Sequence, residues 1–327
     1  MTEIIKEKIV RCPVCNSDEI VFVFCSQEHE YPEITDDFFT FSRCKICSVY
    51  FLSERPSPIS FDSIYPRNYY SFQAPSIETL LYKKNILNSI IMNIRKQRFA
   101  FVKDYISKRP FTWLDIACGN GRDLIHINHM FDCYATGIDI NVKNKSYKGG
   151  KITTLQGDFL SYDFKPHSFD IVFSSHAIEH FYNPNEYLKK CRSLLADDGF
   201  CIIETPNINC FAFKLFKKYW GGLHVPRHFV LFDEKSLTRL ANDNGFEIKS
   251  IHYTPDSVFL LWSFHSFFFR GLKLKTLADL FFFPRNHATW SFSNFFRLLC
   301  FLVIGHIMFM FERKSGVMTA IMQKKHE

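Results

Sequence analysis

Trp113-Leu-Asp-Ile-Ala-Cys-Gly-Asn-Gly-Arg-Asp-Leu124 reads as a short buried strand, a tight glycine turn and the first turn of a helix. Gly119 and Gly121 sit where a side chain would keep a ligand from approaching the backbone. Asp115 stands at the strand end and faces the same space. The arrangement suits a nucleotide-like ligand, although a short glycine loop by itself often only turns a chain.

The flanking sequence supports the sharper reading. Ala135-Thr-Gly-Ile-Asp-Ile140 is a second short strand ending in an acid, and Asp139 lies 18 residues past Gly121. In a βαβ unit that distance puts a carboxylate beside the first turn, where it can accept both hydroxyls of a ribose. Residues 152–155 form a third strand, followed by Gly157-Asp158-Phe159. Asp158 can accept from an exocyclic adenine amine while Phe159 covers the ring. Phe169-Asp-Ile-Val-Phe-Ser174 and Gly199-Phe-Cys-Ile-Ile-Glu204 are apolar runs typical of central parallel strands, and 246–251 is a sixth strand. Asn185 to Leu195 is an amphipathic helix, and Asp233 caps another that Gly245 ends. Residues 80–106 show apolar positions at helical spacing, ended by Pro110. Strands alternating with helices mean a doubly wound parallel α/β sheet with its ligand at the carboxyl ends of the strands.

Leu114-Asp-Ile-Ala-Cys-Gly-Asn-Gly121 resembles the first motif of class I S-adenosylmethionine-dependent methyltransferases. Phe169-Asp170 through Ala177-Ile-Glu-His180 resembles their fourth motif, and residues 199–207 their fifth strand region. The resemblance covers roughly residues 110–254, in family order. It implies a Rossmann-like sheet of six parallel strands and one antiparallel strand. It places S-adenosyl-L-methionine among Asp115, Cys118, Gly119, Gly121, Asp139, Ile140, Asp158, Phe159 and Ser174. A nicotinamide enzyme would want a third glycine where this chain has Leu124.

Ahead of this core stand Cys12-Pro-Val-Cys15 and Cys44-Lys-Ile-Cys47, with 28 residues between the pairs. A two-residue gap points both thiolates of a pair at one ion, and two such knuckles complete a tetrahedral site. Strand-like Ile20-Val-Phe-Val-Phe24 and residues 38–41 lie between them, so a zinc ribbon is expected. Cys25 and His29 are competing ligands. Met1 to Val10 shows no export signal, which favours metal thiolates over disulfides and a cytoplasmic setting. The segment between the knuckles carries Asp18, Glu19, Glu28, Glu30, Glu33, Asp36 and Asp37, a face that would repel nucleic-acid phosphate. With a net charge of only +7 on 327 residues, no nucleic-acid partner is expected. Tyr65, Tyr69 and Tyr70 in the following connector either line a substrate site or pack between modules. The cysteine module ahead of such a core resembles a zinc-containing subgroup of the family that includes nucleotide-sugar methyltransferases. That resemblance implies a small or lipid-linked sugar-type acceptor, with a quinone- or lipid-type acceptor or a catalytically silent binding protein as alternatives.

A hydroxyl or carbon acid acceptor needs a base. His176, His180, His224 and His228 all follow strands four or five; His180 is preferred as base over His228 and His224, against the alternative that it packs a helix end. In Trp220-Gly-Gly-Leu-His-Val-Pro-Arg-His228, Arg227 either clamps an anionic group of the acceptor or pairs with a local acid.

The chain is expected to divide into a zinc module and connector at 1–75, a methyltransferase core at 76–254, and a Phe-rich helical insert with the final strand at 255–327. Residues 259–311 hold 14 of the 38 Phe. The apolar run 298–311 is shorter than the roughly 20 residues a spanning helix needs. It is either a cap buried on the core or in a homodimer interface, or a peripheral membrane contact. In the latter reading Arg270, Lys273, Lys275 and Arg285 would face anionic headgroups at the inner face of the membrane.

Overall fold

The computed structural model describes residues 4–69, 71, 77, 98–106, 110–255, 257–282, 300, 303–305 and 314–325. Aromatic and β-branched residues between the cysteine pairs form an antiparallel meander. After a short β1 (Lys6–Lys8), β2 (Ile20–Gln27) pairs with β3 (Phe38–Cys44) and β3 with β4 (Tyr50–Leu52), while β5 (Glu54–Pro56) returns to β1. Alternation along β3 buries Phe39 and Phe41 and leaves Phe38 exposed. The other edge of β4 is taken by Val230–Leu231, from the far side of the sequence. That pairing satisfies an edge that would otherwise stay open and docks the module on the core.

In β6 (Thr112–Ile116), Trp113, Leu114 and Ile116 are all buried, as both faces of a central parallel strand must be. The glycine turn leads into α1 (Arg122–Phe131), then β7 (Tyr134–Asp139), β8 (Lys145–Tyr147), β9 (Ile152–Gln156) and β10 (Phe169–Ser175). α2 (Pro184–Leu194) is capped by Asn183, whose side chain accepts from the Asn185 and Glu186 amides. Next come β11 (Leu195–Pro206), α3 (Phe211–Phe216), β12 (Val230–Leu231) and α4 (Glu234–Asp243). The Asp233 cap of α4 is a reciprocal capping box with Ser236. β13 (Phe246–Thr254), α5 (Val258–Ser266), α6 (Lys275–Phe282) and β14 (Val317–Lys324) complete the described chain.

The large sheet runs β13-β14-β11-β10-β6-β7-β9-β8. β9, β7, β6, β10 and β11 are parallel neighbours, and β14 lies antiparallel between β11 and β13, so β13 shares the parallel direction. Among the described residues six strands of the sheet run parallel, and β14 runs against them. The sheet adds one strand beyond these: β8, antiparallel to β9 at the edge. Lys145-Ser-Tyr147 carries no apolar alternation to announce a strand. It forms because Gly149 and Gly150 adopt positive φ and turn the chain straight back. Strand order reverses at β6, the sheet growing through β7 and β9 on one side and through β10 and β11 on the other, so the crevice for a ligand opens at the carboxyl ends of β6 and β10.

The helix expected over residues 80–106 lies, for 80–97, outside the described residues. Its described end is a 3-10 helix, Ala100–Tyr105, rather than an α-helix. The three-residue period sets Phe99 edge-to-face with Trp113 and Phe173, and Tyr105 edge-to-face with Phe200. Of the Phe-rich insert, α5 is apolar on all sides and largely buried; it lies so close to the Gly221 turn that a Cβ on Gly221 would meet Phe259 O at 2.5 Å. Arg270 is not a headgroup-facing cation: its Nε and Nη2 donate to the Glu28 carbonyl, and Nη1 lies 3.1 Å from Asp36. Most of 298–311 lies outside the described residues. Among those described, no helix is long and apolar enough to cross a membrane.

The module and the core are locked together by buried charge. Arg227 is fully buried; its Nη2 lies 2.5 Å from Glu28 Oε2, and its Nη1 donates to the Ile64 carbonyl. The guanidinium also sits over the rings of Tyr31 and Tyr69. Of the two roles open to Arg227, pairing with an acid is the one its surroundings fulfil. Glu28 and Glu30 accordingly point inward, and the acidic face read between the knuckles is smaller than the sequence suggests. Removing one partner of such a pair strands the other charge. Arg227→Ala should therefore lower unfolding free energy by about 3–5 kcal/mol in denaturant melts, with Arg227→Met/Glu28→Leu together losing much less than the sum of the single changes. Additive losses would show that the pair is not coupled.

Candidate active site

The glycine turn is built from consecutive unusual backbone angles. Ala117, Gly119 and Gly121 all have positive φ. A Cβ on Gly119 would meet nothing nearer than Ser71 Oγ at 4.0 Å, so this glycine borders open space. The Gly119 amide donates to Asp139 Oδ2 at 2.9 Å, and the Asn141 amide to Oδ1 at 2.9 Å. The acid expected beside the turn is thus attached to it. Burial raises the Asp139 pKa, against the two amide bonds. Gly137, in β7, has no assigned role in the sequence reading, yet a Cβ there would meet Cys118 Sγ and Leu124 Cδ1 at 2.6 Å. Its bareness is what lets the turn close onto β7.

Asp115 is buried; burial and then Asp123 raise its pKa, while Arg98 opposes them. Arg98 bridges the mouth, donating to Asp123 Oδ2 at 2.8 Å, Ser175 Oγ at 2.7 Å and Glu204 Oε1 at 2.5 Å. Burial would raise the Glu204 pKa, but Arg98 and then His176 bring it to about 2. Alternation along β10 decides which serine reaches this space. Ser175 bonds Arg98 and Glu204, whereas Ser174 is fully buried. The sequence pattern points to Ser174 at the cofactor, whereas its neighbour Ser175 is the serine that meets the polar mouth. Phe159 is likewise buried, packed on Phe164, Phe181 and Tyr187, so its ring belongs to the core. Ile140 is the exposed apolar side chain beyond β7, and Asp158 accepts from the Ser161 amide.

Past the end of β10 the chain makes a 3-10 turn, Ile178–His180. It delivers Glu179, fully buried, and His180 toward the Gly221–His228 loop. His180 Nδ1 is 3.0 Å from the Tyr65 hydroxyl. Tyr65 also packs on Phe61 and Tyr69, so it shows both the packing role and a contact with His180, while Tyr70 lies outside the described residues. Burial brings the His180 pKa down to about 3, so the ring is neutral. His228 donates from Nδ1 to the Gly222 carbonyl at 2.8 Å, and its ring stands 4.7 Å from that of His180. His224 differs. Arg227 Nε donates to its Nε2 at 3.0 Å, the Tyr69 hydroxyl is also 3.0 Å from Nε2, and Nδ1 lies 2.6 Å from Glu30 Oε1. Both ring nitrogens are engaged inside the protein, so His224 relays order from the module rather than offering a free base. His176 is half-exposed; burial works against its protonation, but the contact with Glu179 outweighs it and raises the pKa.

Among the described residues, two groups of side chains can hold an ion. Cys12 and Cys47 have Sγ atoms 3.5 Å apart and Cys15 and Cys44 3.6 Å, with all four sulfurs converging. Tetrahedral bonds of about 2.3 Å would space sulfurs by about 3.8 Å, so the donor set fits zinc. Cys25 lies instead against the Thr40 hydroxyl, and His29 among Trp262 and His265. Glu179, His180 and His228 form the second group.

Residues 92–251 match a family model described as a methyltransferase domain, just under half of the chain. Ajmaline N-methyltransferase of Rauvolfia serpentina is 27% identical over 114 residues, covering 32% of this chain and 39% of that protein. Phosphoethanolamine N-methyltransferase of Plasmodium falciparum is 26% identical over 144 residues, covering 42% of this chain and 53% of that protein. The chain thus spans about half or less of the length of these curated relatives. A solved structure of Haemonchus contortus phosphoethanolamine N-methyltransferase 2, with phosphomonomethylethanolamine and S-adenosylhomocysteine, is 17% identical. It covers 94% of this chain and 69% of that one, with a TM-score of 0.48. Family match, curated relatives, strand order and the acid-bearing glycine turn agree: the chain carries an S-adenosylmethionine-dependent methyltransferase domain.

Proposed function

We propose that the chain transfers the methyl group of S-adenosylmethionine to a small polar acceptor. The observation that carries this reading is one of placement. The Gly119–Asp139 turn and the Tyr65, Glu179, His180, His228 cluster stand at the carboxyl ends of β6, β7 and β10, on the two sides of the point where the strand order reverses. The cofactor supplies an already activated methyl group. What the protein contributes is alignment and exclusion of water. Asp139 would accept the ribose hydroxyls, with the Gly119 amide fixing its carboxylate. Tyr65 orients His180, and the buried cluster faces the hydroxyl or amine of the acceptor that must lose a proton.

The sugar or sugar-nucleotide acceptor expected from the sequence finds no support in the named relatives. These are N-methyltransferases, and their names favour an amine nitrogen. Four convergent thiolates support a structural zinc in the module, which carries Glu28 and Glu30 to the back of the site.

Asp139→Ala should weaken S-adenosylmethionine binding by about 1.5–3 kcal/mol in calorimetry, the loss of a charge-assisted hydrogen bond; an unchanged affinity removes Asp139 from the cofactor site. With methyl-labelled cofactor and a panel of amines and amino sugars, His180→Ala should cut turnover by about 10²–10⁴ at unchanged cofactor affinity. Cofactor binding without a labelled product from any acceptor would favour a silent binding protein. Cys44→Ser/Cys47→Ser should lose one equivalent of zinc by elemental analysis and lower the melting temperature. Full zinc retention would exclude the thiolate site.

A further inference from the structure

We propose that Glu179, His180 and His228 form a second metal site, for one divalent first-row ion such as zinc or iron(II), facing the acceptor. Two imidazoles and one carboxylate make up the donor set of catalytic zinc and non-haem iron sites that keep positions open for other ligands. Here the three potential ligand atoms lie within 4.8 Å of one another. Bonds of about 2.0–2.2 Å would draw them closer by small side-chain rotations.

The Glu179 carboxylate is the second, independent observation. It is fully buried, and its two oxygens are treated differently. Oε2 accepts from the Thr205 hydroxyl at 2.9 Å, whereas Oε1 has no hydrogen bond among the described residues. His176 Nδ1 at 3.3 Å and His228 Nε2 at 3.8 Å are its polar neighbours. A buried carboxylate oxygen that has an ion-pair contact with His176 at 3.3 Å but no hydrogen bond of ordinary geometry is a costly feature that calls for an explanation. A cation between Oε1 and the two rings supplies one.

The far side of each ring is already fixed as a metal ligand requires. His228 donates from Nδ1 to the Gly222 carbonyl, which sets the tautomer and leaves the Nε2 lone pair toward Glu179. His180 is held at Nδ1 by the Tyr65 hydroxyl, leaving Nε2 for the ion. Phe229 N donates to the Glu179 carbonyl at 2.8 Å, tying the two ligand-bearing segments together. The ion would hold an oxygen of the acceptor in front of the methyl group. Where that oxygen is a hydroxyl, coordination lowers its pKa and the proton leaves to water; the oxygen then attacks the methyl carbon as the sulfur–carbon bond breaks, releasing neutral S-adenosylhomocysteine.

This inference rests on the proposed function for the acceptor's position, but its test does not need methyl transfer. Metal-stripped protein reloaded with cobalt(II) should bind two equivalents. One has the intense charge-transfer absorption of a thiolate site, the other the weaker visible bands of nitrogen and oxygen ligation. Glu179→Gln and His228→Ala should each retain the thiolate band, which reports an intact fold, and lose the second equivalent. Tyr65→Phe should weaken the second site by about 10–100-fold. A single equivalent in the unaltered protein, or two equivalents retained in both ligand variants, would overturn the proposal.

Discussion

A guanidinium sealed from water must be answered on every side, and Arg227 sets that requirement for this chain. It draws Glu28 inward from the cysteine module, the Ile64 carbonyl from the connector and His224 from its own loop. His224 in turn holds Glu30 and the Tyr69 hydroxyl. Three stretches far apart in sequence thereby converge on one small volume. Isolated buried ion pairs add little net stability over apolar packing. What this one contributes is placement: it fixes the segment that ends in His228 beside Glu179 and His180.

The cofactor side obeys a different constraint. There the sheet, not a charge cluster, fixes the geometry, and polar groups are added at its rim. Asp139 is bonded to the turn it serves, and Arg98 neutralises Asp123 and Glu204 across the mouth. Asp115 and Glu204 illustrate how burial alone does not decide a carboxyl's state. Arg98 gives Glu204 two direct contacts and lowers its pKa to about 2, while Asp115, with burial and Asp123 on the other side, is raised.

The parts of this arrangement that were legible in the sequence are those set by local spacing. Two Cys-x-x-Cys pairs, a strand running into Gly-x-Gly, and an acid one strand further along each need only a few residues and one known geometry. Strand parity is harder. Ser174 and Ser175 are adjacent, and only the pairing of β10 with β6 and β11 shows which one faces Arg98. Gly137 looks like an ordinary strand glycine until the Cys118 and Leu124 side chains are seen against it. The inward turn of Glu28 and Glu30 was illegible for a physical reason. Their partners, Arg227 and His224, lie nearly 200 residues away, and a run of acids normally reads as a solvated face. The short strand β8 depends on a Gly-Gly reversal rather than on any apolar pattern of its own.

The central claim is that one crevice at the carboxyl ends of the parallel strands holds donor and acceptor together. A crystal structure with S-adenosylhomocysteine bound tests it most directly. The account predicts ribose hydroxyls on Asp139 and the sulfur facing His180 and Glu179, with room for an acceptor atom about 3–3.5 Å from the methyl position. A sulfur directed instead toward the β8 edge, with Glu179, His180 and His228 remote from the methyl position, would contradict it.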